Sequence, residues 1–272
     1  MTSRNRVLRS VVRDCLYLNW ALPVDCLPAL PEPLCYEEHL QDGERFAFLS
    51  ALLFRHEHLH LAGLPFLRFS YPQFNLRLYV RDHEGIPAVF FKSILVPGWV
   101  VPSARWVANQ PAQAAQFRYP HPSTGLQDEE WSWEVVRNLP LRLSARMASP
   151  SLAGRPSLGS WERTVDYFRL RSRGYVQTTG GLHPVKTSQR SVPLWPVQVS
   201  LEDPGLVQRC LDIGDATSWP EPHSAWLCPE VPYEFALSSD ALRQSVQRAP
   251  VSVAPDSAMF HSRRAASRRA AA

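Results

Sequence analysis

Twenty-five prolines are spread over almost the whole 272-residue chain. Each interior proline removes a helical hydrogen bond and clashes with the preceding turn, so long helices are excluded and strands and loops must carry the fold. The longest proline-free stretch, Leu34–Leu64, contains F-A-F-L-S-A-L-L-F-R-H-E-H-L-H-L and reads as strand. Next, Phe74–Arg81 sets Phe74, Leu76, Leu78 and Val80 against Asn75, Arg77, Tyr79 and Arg81. The turn D-H-E-G and the apolar run I-P-A-V-F-F-K-S-I-L-V follow, so a hairpin is predicted. W-S-W-E-V-V-R at 131–137 and the loosely alternating Arg163–Gln177 read as further strands. Short helices are expected at Val24–Leu30, at Pro204–Leu211 with Asp203 as its cap, and at Ser239–Gln247 capped by Ser238 or Ser239. The predicted fold class is mainly β (α+β): a single antiparallel barrel or sandwich with a few short helices. A barrel of this size can hold a small ligand among alternate inward side chains.

Charge narrows the function. The formal net charge is +4, but residues 1–14 contribute +3 and residues 257–272 another +4, which leaves the body slightly acidic. The expected organisation is a basic arm at 1–9, one domain at 10–248 and, from Ala249 on, where the chain has little to bury, a low-complexity Arg/Ala tail at 249–272. A globally basic nucleic-acid-binding domain is disfavoured; binding through the two basic ends is a competing possibility. No run without a formal charge exceeds 12 residues, as in Ser93–Ala104 and Trp106–Phe117, short of the roughly 18–20 that span a bilayer. The early apolar stretch Cys15–Val24 is interrupted by Asn19 and Pro23 and has no cleavage site after it, so a cytoplasmic location is expected. The five cysteines form no C-x-x-C pair and read as reduced, mostly buried thiols. No serine elbow, phosphate-cradling loop, dinucleotide fingerprint or H-E-x-x-H is present, and no cofactor is expected.

Three groups of side chains could carry chemistry. His56, His58 and His60 have the spacing that places all three on one face of a strand, where they either ligate zinc or form part of an exposed sheet face. Arg77 and Tyr79 share the polar face of the hairpin's first strand; an arginine fork there holds a carboxylate or phosphate, or else a structural ion pair. Lys92 and Lys186 are the two lysines of the chain. Lys92 stands among apolar residues, where a lowered pKa would make it a Schiff-base nucleophile; the alternative is an outward lysine whose stem covers the sheet.

F-N-L-R-L-Y-V-R at 74–81, V-F-F-K-S at 89–93 and P-S-A-R-W at 102–106 resemble the YqjF-like family of uncharacterised bacterial proteins. L-N-W-A-L-P-V-D-C-L-P-A-L-P-E-P-L at 18–34, Y-F-R-L-R-S-R-G-Y at 167–175, P-L-W-P-V at 193–197 and H-S-A-W-L-C-P-E-V at 223–231 agree with it in order and spacing. That family is grouped with acetoacetate decarboxylase-like proteins, and the resemblance implies an antiparallel barrel around a deep pocket. The decarboxylase's lysine pair would fall near Gly98–Arg105, a segment without lysine here. The resemblance carries over Asn75, Arg77 and Tyr79, together with Arg105, as ligand contacts. The leading expectation is a barrel that binds a small anionic organic molecule; the alternative is a lyase acting on small keto acids through Lys92.

Overall fold

The computed structural model describes residues 6–108, 110–119, 130–149, 158–171, 173–189, 193–214 and 219–237. Long strands dominate the first half: β1 (Arg6–Pro23), the short β2 (Cys35–Tyr36) and β3 (Glu38–Gln41), then β4 (Glu44–Leu61), β5 (Phe69–Arg81) and β6 (Pro87–Val96). After α1 (Val101–Ala108) come β7 (Gln113–Ala114), β8 (Gln116–Arg118), β9 (Trp131–Arg137) and β10 (Leu139–Met147). The remainder is α2 (Trp161–Arg169), β11 (Arg173–Thr178), β12 (Gly181–Gln189), β13 (Trp195–Asp203), α3 (Gly205–Cys210) and β14 (Ser224–Leu237). Among the described residues no helix is long and apolar enough to cross a membrane.

Hydrogen-bonded neighbours follow the order β1-β4-β5-β6-β11-β12-β14-β13-β10-β9-β8. β1 also pairs with β14, from Arg6 opposite Leu237 to Asn19 opposite Ser224, so the pairings lead from β1 through β12 and β14 back to β1. The sheet is mixed and not antiparallel throughout as expected, because β11 and β7 each run parallel to β6. The physical reason is the connection. The chain leaves β6 for α1, the β7–β10 excursion and α2 before returning beside it, and a crossover of that length delivers a parallel strand where a tight turn delivers an antiparallel one.

Alternation gives the central strands two buried faces. Leu16, Leu18 and Trp20 of β1, Leu49 and Leu53 of β4, and Leu76 and Leu78 of β5 pack against Trp131, Trp133 and Leu143 of the β9–β10 layer. Their neighbours of opposite parity, Tyr17, Phe48, Leu52 and Tyr79, face the other way and pack with Val165 and Phe168 of α2 and Trp226 of β14.

The region 163–177, read as strand, is instead α2 followed by β11. Ser160 accepts from Arg163 N at 3.2 Å as an N-cap, and Trp161, Val165 and Phe168 recur at helical spacing on one face. The alternation begins only beyond Leu170. α1 was not anticipated either. The expected helices at Val24–Leu30 and Pro204–Leu211 shrink to the single turn Val24–Cys26 and to α3, whose Gly205 N donates to Asp203 Oδ1 at 2.9 Å. Of the arm placed at 1–9, residues from Arg6 onward already belong to β1, with Arg9 ion-paired to Glu234. The Ser239–Gln247 helix and the 249–272 tail lie outside the described residues.

Asp82 ties the β5–β6 turn to β11. Its carboxylate accepts from Arg173 Nη1 at 2.7 Å, Tyr175 Oη at 3.0 Å, and the backbone N–H groups of Glu84 and Ile86, each at 3.0 Å. Burial opposes ionisation, yet these donors outweigh it and hold the carboxyl below the ordinary aspartate range. A depressed folded-state pKa contributes stability above the unfolded value, about 3.9, that is lost as pH falls through the folded value. D82N should therefore lower the urea midpoint more at pH 7 than at pH 3; an equal loss at both would contradict this.

Candidate functional site

Strands β1, β4, β5, β6, β11, β12 and β14 each contribute side chains to the lining of one cavity. β5 supplies Gln73, Asn75 and Arg77, while Val12, Leu52, Phe54, Val89, Ile94, Val176 and Val231 form most of the apolar wall. Arg169 and Arg171 reach it from the end of α2 and the link to β11. About 60 Å³ is open to the centre of a water molecule. Since one water needs about 10–15 Å³ on that measure, the space fits a few waters or one small organic molecule. No lysine, aspartate or glutamate is among the described residues lining it.

Arg77 is its chemical centre. The side chain is buried, and Nη2 donates to Tyr79 Oη and to the Phe168 carbonyl, each at 2.7 Å. That carbonyl lies in the last turn of α2, where helix carbonyls lack internal partners and the dipole is negative, so it partly offsets the cation. The guanidinium carbon sits 5.1 Å from the Tyr17 ring centroid and 5.4 Å from that of Tyr79. Arg77 has no carboxylate partner among the described residues, and its buried Nε has no hydrogen-bond acceptor there. Burial pushes the Tyr17 and Tyr79 hydroxyls above their ordinary range, so both stay neutral.

A buried polar belt continues from this point across four strands. Tyr79 Oη is 2.9 Å from Ser50 Oγ, Ser50 donates to Asn19 Oδ1, and Asn19 Nδ2 donates to the Ser224 carbonyl at 3.1 Å. Beside Arg77, Gln73 Nε2 donates to Asn75 Oδ1 at 2.8 Å. Arg171 is differently placed: Glu37 Oε2 lies 2.9 Å from its Nη2, so a carboxylate already balances its charge.

Asn75, Arg77 and Tyr79 thus come together on the inward side, as their shared parity on β5 requires, although Tyr79 faces the cavity's edge through Arg77 and does not line it. The other candidates do not join them. Lys92 is the extra residue of a β-bulge: Ser93 pairs with Leu76 and Phe91 with Arg77, leaving Lys92 between them. Its Nζ lies 3.3 Å from Asp212 Oδ2, in a separate depression with Arg137, Arg209 and Cys210. Arg105 is exposed on α1 and donates to the Ala112 carbonyl at 3.1 Å. The Lys186 side chain lies outside the described part of the structure.

The histidine triplet is split by a second bulge. His58 adopts φ 53°, and the β4–β5 register shifts between His56 and Leu59, which breaks the alternation that would have aligned the three rings. His56 is buried with Nδ1 2.8 Å from Ser10 Oγ, and burial lowers its pKa to about 3, so it is neutral. His58 is exposed, and His60 Nδ1 approaches the His58 carbonyl at 2.7 Å. Among the described residues no group of three His, Cys, Asp or Glu side chains could hold a metal ion.

Sequence reasoning missed Gln73, Tyr17, Cys15, Arg169 and Arg171. Gln73 was within reach, because it continues the parity of Asn75 and Arg77. The two arginines were not, because their placement depends on α2 folding as a helix.

The family model of DUF2071, described as an uncharacterized conserved protein, matches residues 9–231. No curated protein matches the sequence. Among solved structures, the enduracididine biosynthesis enzyme MppR complexed with pyruvate is similar at a TM-score of 0.54 and 13% identity, covering 88% of this chain and 90% of that one. MppR complexed with the condensation product of pyruvate and imidazole 4-carboxaldehyde gives 0.55 and 12%, covering 87% and 89%. An acetoacetate decarboxylase-like enzyme from Sphingomonas wittichii RW1 gives 0.48 and 17%, covering 86% and 90%. At such identities the likeness is one of fold. The match over residues 9–231 bears out the resemblance read from the hairpin and its flanking motifs: the chain belongs to the DUF2071 family of uncharacterized conserved proteins.

Proposed function

We propose that this chain binds a small organic anion, a short carboxylate, inside a barrel formed by the cycle of paired strands, with Arg77 as the anchoring cation. The observation that carries the reading is a buried arginine that, among the described residues, has no carboxylate partner and no acceptor for its Nε, in a cavity that none of the described acidic residues lines. A buried charge is costly unless paired, and a carboxylate would supply both the charge and the missing acceptor. Asn75 and Gln73 add amide contacts, and the surrounding valine, leucine and isoleucine side chains suit a short apolar chain. A fold neighbour complexed with pyruvate makes that acid the natural first probe. Calorimetric titration should show pyruvate and acetate binding and their uncharged amides not binding; equal binding of acid and amide would refute the anion reading.

The lyase alternative requires Lys92 at the bound ligand. Its ion pair with Asp212 in the separate depression speaks against that. K92M should leave pyruvate affinity within about twofold of wild type, as expected of a change outside the site. Borohydride treatment with pyruvate should leave Lys92 unmodified by mass spectrometry. A reduced adduct on Lys92 would restore the lyase.

A further inference from the structure

We propose that Cys15 and Cys228 form an oxidisable dithiol in the cavity wall, closing to a disulfide across β1 and β14 when a peroxide enters. Cys15 lies directly opposite Cys228 in the β1–β14 pairing, and both line the cavity. Both are buried, and neither is bridged. Directly opposed residues of an antiparallel pair have Cα atoms about 4.5–5.5 Å apart, inside the roughly 4.4–6.8 Å that a disulfide spans.

The local backbone explains why the thiols meet there. Asp14 has φ 51°, and the β1–β4 register shifts between Arg13 and Leu16, so a bulge adds one residue and turns Val12, Cys15 and Tyr17 all inward. Without it, Cys15 and Tyr17 would fall on the face opposite Val12. The other cysteines lack this arrangement. Cys26 and Cys35 are exposed, and Cys210 lines the separate depression near Lys92.

The chemistry balances with hydrogen peroxide as oxidant. One thiolate attacks the peroxide oxygen, the O–O bond breaks, and a sulfenic acid forms as hydroxide leaves and takes up the thiol's proton to give water. The second sulfur attacks the sulfenic sulfur, the S–OH bond breaks, and a second water leaves as the disulfide forms. Two thiols are oxidised by two electrons, and one peroxide is reduced to two waters. Burial pushes both thiols up, Cys228 to about 11, so the reaction is slow at neutral pH and is read at completion.

The inference does not depend on which ligand the cavity takes. The native full-length protein is treated with excess hydrogen peroxide, then denatured, alkylated with iodoacetamide and digested with chymotrypsin. That protease cuts at Tyr17 and Trp20 and so separates Cys15 from Cys26. The expected product is a Cys15–Cys228 linked peptide, lighter by two hydrogens than its parts and released by dithiothreitol. A C26S/C35S/C210S triple variant should give the same product. Alkylation of both Cys15 and Cys228, sulfinic acid on either, or linkage only to other cysteines would overturn the proposal.

Discussion

R77M is expected to weaken pyruvate binding at least tenfold while the protein stays folded. Methionine preserves the apolar stem but removes the charge and the fork. Hydrogen bonds to charged groups are worth about 1.5–3 kcal/mol, or roughly 10–150-fold in Kd. Stability should respond differently. The Phe168 carbonyl keeps Tyr79 Oη as a donor at 2.8 Å, and the variant no longer buries an unpaired charge. The urea midpoint should therefore hold or rise, as it does when buried charges give way to apolar groups of similar volume. R77K, which keeps the charge without the planar fork, should bind with intermediate affinity. Unchanged pyruvate affinity in R77M would remove Arg77 from the site.

F168A carries the largest expected loss of stability. The Phe168 ring is fully buried and lies 5.0 Å from Phe48, 5.1 Å from both Tyr79 and Tyr167, and 5.8 Å from Trp226, centroid to centroid. Truncating a core phenylalanine costs about 3–5 kcal/mol. The effect should extend to binding, because Phe168 fixes the end of α2 from which Arg169 and Arg171 reach the cavity and whose carbonyl meets Arg77. F168L, closer in volume, should recover most of the stability. A loss below about 1 kcal/mol in F168A, the range of changes away from a packed core, would mean that α2 is not docked as described.

The parts of this molecule legible in its sequence were those governed by local alternation. Parity along Phe74–Arg81 separated Leu76, Leu78 and Val80, which pack on the β9–β10 layer, from Asn75 and Arg77, which face the cavity. Bulges defeated the same reasoning. One inserted residue at His58 dispersed a triplet whose spacing looked suited to a metal, and another, beside Phe91, brought Ile94 to the cavity that Val89 and Phe91 line, against simple alternation. Both depend on how two strands pair, which a single strand's pattern does not encode. Helix α2 was hidden differently. Its apolar spacing is helical from Trp161 to Phe168, but the following Arg171, Arg173 and Tyr175 alternate, and the two periods ran together. The parallel β6–β11 contact follows from a long crossover, so no local signal announces it.

A crystal structure grown with pyruvate shows at once whether the cavity around Arg77 is an anion site. The carboxylate is expected inside the cavity, its oxygens about 3 Å from the Arg77 guanidinium nitrogens, with Lys92 still beside Asp212. An empty cavity with pyruvate held beside Lys92, Arg137 and Arg209, or joined covalently to Lys92, would contradict it.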